Sequence, residues 1–568
     1  MKAGWRCARG FGVFIEISAT GEAWIMKHFT QTVVMMFMLG VYGAGMVYAG
    51  DEPGERMLRV VIGNDIRSTN PGVDRDADTD MVLHHIVESL VAFREDLSVA
   101  PLVADRYDIS EDGLVYTFHL RPGLTFHNGA PVTAQDVKWS WQRYLDPQTR
   151  WKCRNWYVSG EDEQALGRER SVIQSIETPD ELTVVFRLRY PSALFLDRMA
   201  NVQCITAVLH RDSVNPDGTW NKPIGTGPFR LKEWQHGEYV ELERFEGYRP
   251  RAGQRDGFVG RKEAFANRIR FMVTPDPASV KAALASGELD IYPRLLMNAV
   301  QEMQSEPEVV LEESPTLVWS VLLFQTRDKV FRDVRIRRAV AHAINRKELS
   351  GFTTYGFADV NSSFVPVADP RHTALHDQWL DYDPQKARAL LREAGYRGEV
   401  ITIQANRKYP NMYENALVIQ AMLQNVGLNV RLRVMDWATQ LGNYYSGDFQ
   451  MMTFSFSALS NPLFRLAKLI GDKDMGGTFQ WESAEASRLL QVLSATRERK
   501  RQQEYLDRLF ELFKQDVPLL GLYNPRAVIA LRKDIQGFKP WVMRKARLWG
   551  VWKKDWNIGM GSVRTGQE

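Results

Sequence analysis

Four aspartates near the start of the chain alternate with other residues, as the ligands of a calcium-binding loop do. They are Asp74, Asp76, Asp78 and Asp80. Such a loop also requires glycine at its sixth position and glutamate at its twelfth. A loop that begins at Asp74 would place Thr79 and His85 there, and one that begins at Asp76 fails in the same way. The spacing therefore predicts a solvated acidic loop rather than a metal site.

The other residues that can do acid–base or nucleophilic chemistry do not form a recognisable set. His84 and His85 are adjacent, so they point in different directions on any regular element and make a poor metal pair. His127 lies in a Phe-His-Asn-Gly turn, where a structural role is expected. The sequence has no phosphate-binding glycine loop, no HExxH helix and no GxSxG turn. We therefore expect no catalytic activity, no metal and no cofactor.

Aromatic residues are abundant, with 16 Trp, 19 Tyr and 27 Phe. One group lies around the strand predicted after Gly447 and comprises Trp437, Tyr444, Tyr445, Phe454 and Phe456. Core packing is the default role of such rings, but broad aromatic walls also suit pockets for small molecules. The pattern leaves both roles open.

Length and charge narrow the class of protein. The chain has 568 residues, of which 44% are hydrophobic and 25% are charged. This is ordinary globular composition, with room for about three domain-sized units. The formal net charge is only +3. The charge balance therefore does not indicate a nucleic-acid or membrane-surface binder.

Residues 1–49 have the pattern of an export signal. Lys27 precedes a long uncharged stretch that ends in small residues, which is the order of a secretory signal peptide. Val47 and Ala49 suit the two small-residue positions, so we expect translation from Met26 and cleavage after Ala49. A single membrane anchor is the alternative, and three glycines in a short apolar run disfavour it.

Two cysteines, Cys153 and Cys204, lie outside this signal region. In an oxidising compartment they can form a disulfide. Two separate thiols are an equally reasonable alternative from the sequence. Two cysteines cannot be the main stabilising element of a chain this long, so the fold must depend on its hydrophobic cores.

Strand-like and helix-like segments alternate along the chain, which predicts α/β architecture with largely parallel sheets. Thr133 and Asp136 have the spacing of a capping box that opens a helix. Asp333 and Asp383 also mark helix starts, the latter because proline follows it. The predicted strands are Leu58–Ile62, Leu182–Leu188, Tyr239–Phe245, Ile269–Val273, Val318–Phe324, Val400–Gln404 and Val430–Val434.

The segment from Pro101 to Val137 reads PLVAD…DGLVYTFHLRPGLTFHNGAPVTAQDV. In order and spacing it resembles the signature of family 5 of the bacterial extracellular solute-binding proteins, the dipeptide, oligopeptide and nickel receptors of ABC transporters. Further matches follow at family-like intervals: GTGPF at 225–229, SGELD at 286–290, the block at 331–346 and EAGY at 393–396. The resemblance covers nearly all of the chain from Met57 to Trp552.

The resemblance implies a bilobed periplasmic-binding-protein fold of type II, in the large three-subdomain variety of the peptide receptors. The first lobe would comprise residues 57–315 and 525–568, with an inserted subdomain at about 91–215. The second lobe would comprise residues 316–524. Closure of the lobes around a ligand would be a hinge motion.

The resemblance also implies a function. The protein would be a monomeric, periplasmic component of an ABC import system that captures a short peptide and delivers it to the membrane permease and its ATPase. No nucleic-acid partner is implied. The alternative is a receptor for a non-peptide ligand, such as an oligosaccharide, an opine-like compound or a metal chelate. A periplasmic enzyme is a third hypothesis, but no acid, base and nucleophile converge in the sequence.

The family pattern also indicates binding residues. Trp437 and Phe456 fall where the family has pocket-lining aromatic residues. The stretch from Asn70 to Asp74 matches a first-lobe loop that faces the cleft.

In peptide-binding members an aspartate shortly before an Asp-Pro or Glu-Pro pair anchors the peptide's amino group. Here the corresponding stretch is Ser457, Ala458 and Leu459, shortly before Pro462. Ala458 or Leu459 stands at the anchoring position, and neither can pair with an ammonium. Because an unpaired buried ammonium is costly, either the ligand lacks a free cationic amine or another acid supplies the charge.

Overall fold

The computed structural model describes residues 55–158, 171–556 and 558, so the predicted signal region at 1–49 lies outside the described residues. The described strands are Met57–Ile62 (β1), Val91–Phe93 (β2), Val99–Pro101 (β3), Ala104–Ile109 (β4), Val115–Leu120 (β5), Ile173–Glu177 (β6), Thr183–Leu188 (β7), Phe229–Gln235 (β8), Tyr239–Arg244 (β9), Arg268–Val273 (β10), Ile291–Tyr292 (β11), Val309–Ser314 (β12), Trp319–Phe324 (β13), Ala358–Val360 (β14), Ile401–Asn406 (β15), Val430–Met435 (β16), Met451–Phe456 (β17), Leu519–Pro525 (β18), Ala527–Arg532 (β19), Ile535–Gln536 (β20) and Trp552–Lys553 (β21). The described α-helices are Ala77–Leu83 (α1), Ala134–Leu145 (α2), Phe195–Met199 (α3), Pro277–Ser286 (α4), Val300–Gln304 (α5), Val334–Ala343 (α6), Arg346–Thr354 (α7), Pro384–Glu393 (α8), Pro410–Asn425 (α9), Trp437–Ser446 (α10), Pro462–Leu469 (α11), Ala484–Ala495 (α12) and Arg499–Asp516 (α13).

Capping residues start the helices where the sequence predicts. The backbone N–H and the hydroxyl of Thr133 both donate to Asp136 Oδ2, at 2.9 and 2.6 Å, which closes the capping box of α2. Asp333 and Asp383 accept hydrogen bonds from backbone N–H groups in the first turns of α6 and α8. The seven predicted strands agree with the observed ones to within two residues at each end.

Two mixed sheets form the frame. The seven-stranded sheet has the order β12-β19-β11-β1-β10-β9-β8, and the six-stranded sheet has the order β14-β18-β13-β17-β15-β16. Among the described strands of these sheets, parallel pairing is confined to β1 with β10 and β11, and to β15 with β16 and β17. The prediction of largely parallel sheets is therefore wrong. Tight hairpins such as β8–β9, and the strands β18 and β19 that return late in the chain, pair antiparallel.

The chain passes between these two sheets at two crossovers in its described part. Residues 315–318 join β12 to β13, and Arg526 joins β18 to β19. Asn524 Nδ2 donates to the carbonyl of Val318 at 2.7 Å, which ties the second crossover to the first. The two crossovers therefore lie side by side and form one joint between the sheets.

A separate antiparallel sheet, β4-β5-β7-β6, packs with α2 around its own aromatic core. In this core Trp141 meets Tyr157 at 5.0 Å and Phe186 at 5.1 Å, both edge to face. Cys153 and Cys204 belong to the same core and are joined as a disulfide, with Cα atoms 5.9 Å apart. Of the two alternatives left open by the sequence, the structure shows the paired form.

The acidic stretch predicted to be a solvated loop is largely helical. Asp76 caps α1 by accepting a hydrogen bond from a backbone N–H in the first turn. Asp78 and Asp80 are buried within α1 and form ion pairs with Arg294 and Lys545. The prediction of a solvated loop is therefore wrong, because Arg294 neutralises Asp78, while Lys545 and the nearby Arg75 neutralise Asp80. Within the described residues, no group of three ligating side chains has the arrangement of a metal site.

A buried ion pair connects several segments that pack against the seven-stranded sheet. Lys262 Nζ lies 2.8 Å from Glu88 Oε1, and both residues are at most 2% exposed. The Tyr248 hydroxyl and Thr226 Oγ1 also donate to Glu88, at 3.0 and 3.2 Å. The ammonium lies 4.9 Å from the centre of the Trp549 ring. The charge of each ion is thus balanced inside the protein.

Two buried histidines are held in the neutral form. His85 hydrogen-bonds to the Met81 carbonyl at 2.9 Å, and His127 to the Gly227 carbonyl at 3.1 Å. Burial lowers the pKa of both imidazoles to about 4. Both rings are therefore uncharged at neutral pH, in keeping with a structural role.

Lowering the pH from about 7 to about 5.5 is expected to destabilise the protein. The unfolded chain, with histidine pKa near 6.5, takes up protons in this range, whereas the folded pKa of about 4 prevents uptake. Proton uptake therefore stabilises the unfolded state and lowers the free energy of unfolding by about 1 kcal/mol for each of His85 and His127. Urea unfolding at both pH values measures this loss. His127→Gln should reduce this loss, and an equal loss in wild type and in His127→Gln would contradict the assignment.

None of the described helices combines the length and the apolar character needed to cross a bilayer.

Candidate ligand-binding site

The candidate site lies at the edge of the six-stranded sheet next to the crossovers. Phe456, at the end of β17, pairs with Trp319, at the start of β13, so β17 ends beside the first crossover. Strand β15 runs parallel to β17 and β16 runs parallel to β15, so Asn406 and Met435 end at the same edge. Ligands of open α/β sheets bind beyond the carboxyl ends of the strands. The loops after β15, β16 and β17 are therefore the candidate loops.

In the seven-stranded sheet, too, strands end at the edge that lies next to the two crossovers. Strand β12 ends at Ser314, which pairs with Ala527 at the start of β19. Strand β11 runs antiparallel to β19, and β1 runs parallel to β11, so β1 also ends on the crossover side, at Ile62. The loop after β1, which contains Asn70 and Asp74, leaves the sheet at this edge.

Aromatic rings line the candidate edge. Trp437, at the start of α10, stacks on Phe454 with ring centroids 5.8 Å apart and meets Tyr409 edge to face at 4.9 Å. Phe456 meets Phe454 at 5.3 Å and Trp319 at 6.1 Å. Phe454 and Trp319 are buried, whereas Trp437 and Phe456 are half-buried. The two predicted wall residues thus rest on a buried aromatic layer and keep part of their surface available to a ligand.

The loop after β17 is held from two sides. Ser457 is exposed, and its carbonyl accepts a hydrogen bond from Arg465 at 3.2 Å. The Ala458 carbonyl accepts one from Gln203 Nε2 at 3.2 Å, and its side chain packs against the core of the four-stranded sheet. Leu459 packs against the core of the six-stranded sheet. The three side chains carry no charge, so this loop offers a ligand backbone groups and apolar surface.

Arg465, in α11, is a cation buried beneath this loop and only 2% exposed. Its guanidinium donates to the carbonyls of Leu317, Phe364 and Ser457, at 3.2 Å each. It also lies 5.3 Å from the centre of the Trp319 ring. Burial lowers the pKa of Arg465 to about 10, which leaves it charged at neutral pH. One buried cation therefore links the first crossover to the candidate loop.

The two first-sheet residues predicted for the site differ in environment. Asn70 is buried, and its Oδ1 accepts a hydrogen bond from Arg143 at 2.8 Å. Asp74 is exposed. Within the described parts of the chain, the structure brings Trp437 and Phe456 into one aromatic group but shows no direct contact between that group and Asn70 or Asp74.

Two charged residues near the candidate loops were not predicted. Arg407 is exposed in the loop after β15, with its guanidinium 4.8 Å from the Tyr413 ring centre. Asp197 Oδ1 accepts a hydrogen bond from Asn461 Nδ2 at 2.9 Å, so a carboxylate of α3 reaches the loop after β17. Burial raises the pKa of Asp197. The carboxyl end of a predicted strand could have indicated Arg407, but Asp197 is 264 residues from its partner and gives no local signal.

Comparison with known proteins finds relatives that match most of the chain. The family model described as bacterial extracellular solute-binding proteins, family 5 Middle, matches residues 98–471. The dipeptide-binding protein of Escherichia coli strain K12 is 26% identical over 492 residues, which cover 82% of this chain and 88% of that protein.

Solved structures show the same likeness. The periplasmic binding protein DppA from Helicobacter pylori, in complex with the peptide STSA, is 26% identical with a TM-score of 0.69, covering 88% of this chain and 98% of that one. The binding protein AgaA of A. tumefaciens R10, in complex with agropinic acid, shares the fold at 23% identity and a TM-score of 0.67, with coverage of 88% and 98%. The predicted bilobed α/β fold is confirmed, and so is the expectation of a binding protein rather than an enzyme. The chain belongs to family 5 of the bacterial extracellular solute-binding proteins.

Proposed function

We propose that this protein is the periplasmic solute-binding component of an ABC import system. It captures a short peptide between two lobes and, as a monomer, delivers it to a membrane permease and its ATPase. The observation that carries the proposal is the half-buried pair Trp437 and Phe456 at the joint between the sheets, in a chain of this family. A ligand held there stabilises the closed arrangement by its differential affinity for that arrangement.

The two lobes are proposed to follow the two sheets. The first lobe comprises residues 57–315 and 525–568, and the second comprises residues 316–524. The four-stranded sheet forms the inserted subdomain at about 91–215. Membership of β1 and β8–β12 in one sheet and of β13–β18 in the other supports these bounds.

A short peptide suits the charges near the candidate loops. Exposed Arg407 can pair with a carboxylate. Ala458 has no charge for an ammonium, whereas Asp197 brings a carboxylate to the same loop. The named ligands of the dipeptide-binding relative and of the STSA complex support the peptide class. The second candidate is a receptor for a ligand without a free amine, such as an opine-like compound, and the uncharged stretch Ser457 to Leu459 favours it.

A ligand screen tests the proposal. Native mass spectrometry of protein purified without refolding shows any bound solute, and thermal-shift assays then compare peptides, sugars, opines and metal chelates. A ligand at a hundred times its Kd adds about 2.7 kcal/mol of stability, so a true ligand raises the Tm clearly. We expect peptides to do so. A shift with non-peptides alone would contradict the peptide assignment, and no shift with any class would contradict the receptor function.

Removing either wall ring is expected to weaken ligand binding. Trp437→Ala and Phe456→Ala each delete a large stacking surface, and such anchors contribute roughly 1–3 kcal/mol, or about 5- to 150-fold in Kd. Isothermal titration calorimetry with the ligand from the screen measures the change. Tyr445→Ala is the matched control, because this exposed ring lies at the opposite end of α10. Unchanged affinity in folded Trp437→Ala and Phe456→Ala proteins would place the ligand elsewhere.

A further inference from the structure

The disulfide in the inserted subdomain joins two segments that reach beyond that subdomain. Cys153 and Cys204 are 51 residues apart in sequence and both are buried in the core of the four-stranded sheet. The first lies at the start of a short turn at Arg154–Trp156, and the second lies in the segment between α3 and β8. The cross-link therefore fixes these two segments relative to each other.

Each cysteine lies close in sequence to a residue that contacts the part of the chain carrying the six-stranded sheet. Trp156, three residues after the first cysteine, stacks on Phe464 of α11 with centroids 5.3 Å apart and 20° between the ring planes. Gln203, the residue before the second cysteine, donates from Nε2 to the Ala458 carbonyl at 3.2 Å. Both contacts thus depend on segments that the disulfide holds.

A third contact connects the same surfaces through α3. Asp197 Oδ1 accepts the hydrogen bond from Asn461 Nδ2 at 2.9 Å. The next residue, Arg198, donates from its guanidinium to the Trp156 carbonyl at 2.5 Å. The turn, α3 and the segment at Gln203 therefore form one face, and Trp156, Asp197 and Gln203 all meet residues 458–464 of the second lobe. Just before α3, the backbone N–H of Ala193 also donates to the Ser494 carbonyl at 3.0 Å.

We propose that the Cys153–Cys204 disulfide is a positioning element for the ligand loop. It holds Trp156 and Gln203 in the one arrangement in which both meet residues 458–464, so that the loop after β17 has a fixed backbone when the ligand arrives. Without the cross-link, the segments at Trp156 and Gln203 must each be ordered when they meet residues 458–464. The conformational entropy lost in that ordering then opposes closure around the ligand. The inference rests on the proposed function, because it gives the loop at Ser457 to Leu459 a role in binding.

Hydrogen exchange tests the inference without a ligand. In the full chain carrying Cys153→Ser and Cys204→Ser, amides of residues 458–464 are expected to exchange at least about tenfold faster than in wild type, while α7 keeps its wild-type rates. Val184→Ala is the matched control, because it removes buried methyl groups from the same subdomain without touching the three contacts. It should leave exchange at 458–464 unchanged.

Binding gives the second readout, with the dipeptide Ala-Ala as the probe. The double serine variant should bind it about tenfold more weakly than wild type, which corresponds to about 1.4 kcal/mol, and Val184→Ala should bind it as wild type does. If the amide exchange rates of residues 458–464 were unchanged in the double serine variant, the inference would be overturned. The disulfide would then stabilise only the subdomain in which it lies. Failure of wild type to bind Ala-Ala would count against the peptide assignment, and the exchange rates would still decide the role of the disulfide.

Discussion

Glu88→Gln is expected to lower the free energy of unfolding by about 3–5 kcal/mol. Glutamine has nearly the shape of glutamate and can still accept a hydrogen bond from Tyr248 or Thr226. It removes the negative charge 2.8 Å from the Lys262 ammonium, however, and Lys262 is only 1% exposed. A buried cation without a counter-charge is among the most destabilising defects in a protein interior. Equilibrium unfolding in urea measures the loss.

A double-mutant cycle identifies the cause of this loss. Glu88→Gln combined with Lys262→Met should be less destabilised than Glu88→Gln alone, because no buried ammonium remains. Tyr248→Phe removes one hydrogen bond to Glu88 but keeps both charges, and should cost about 1–2 kcal/mol. Equal losses in the single and double variants would show that the unpaired cation is not the reason.

Arg465→Met is expected to cost about 3 kcal/mol of stability and to weaken ligand binding as well. Methionine fills the space of the arginine stem, but the carbonyls of Leu317, Phe364 and Ser457 lose their donor. Each buried carbonyl left without a partner costs about 1–3 kcal/mol, part of which local rearrangement recovers. The loop after β17 is then released from the first crossover, so its backbone must be ordered by the ligand. We expect roughly a tenfold increase in Kd.

A control variant, Arg337→Met, separates the effect of Arg465→Met on stability from its effect on ligand affinity. Arg337 is also buried, and its guanidinium donates to the carbonyls of Phe331, Asp516 and Val517. These groups lie at the end of the six-stranded sheet away from the crossovers, beside the start of β18. Arg337→Met should therefore lose a similar amount of stability and keep the wild-type Kd. If both variants bound the ligand equally well, Arg465 would have a role in stability alone.

Local structure could be predicted because its causes are local in the chain. The capping box of Thr133 and Asp136 needs two residues three positions apart, and Asp383 starts α8 because proline follows it. The pairing of strands depends on distant segments. The place of β19 between β12 and β11 is set by residues near the end of the chain, and no local pattern shows it.

The difference between local and distant causes also explains which surroundings of individual residues could be predicted. Asp80 was expected to face solvent, but it is buried between Arg75, five residues away, and Lys545, 465 residues away, and only the first of these partners is visible in the local sequence. The stretch Ser457 to Leu459 was found through the family pattern around Pro462. The groups that hold its backbone, Gln203 and Arg465, could not be predicted, because Gln203 is 255 residues from Ala458 and Arg465 has no distinctive sequence context.

The position of β19 inside the seven-stranded sheet has a consequence for folding during synthesis. Strand β12 is an edge strand whose described partner is β19, and β11 pairs with β19 on its other side. A nascent chain that has not yet reached Ala527–Arg532 therefore cannot complete this sheet, although most of its strands have already been made. Translation at about 5–20 residues per second delays that step until β19 itself has left the ribosome. The topology thus leaves this sheet incomplete between β11 and β12 until β19 has been synthesised.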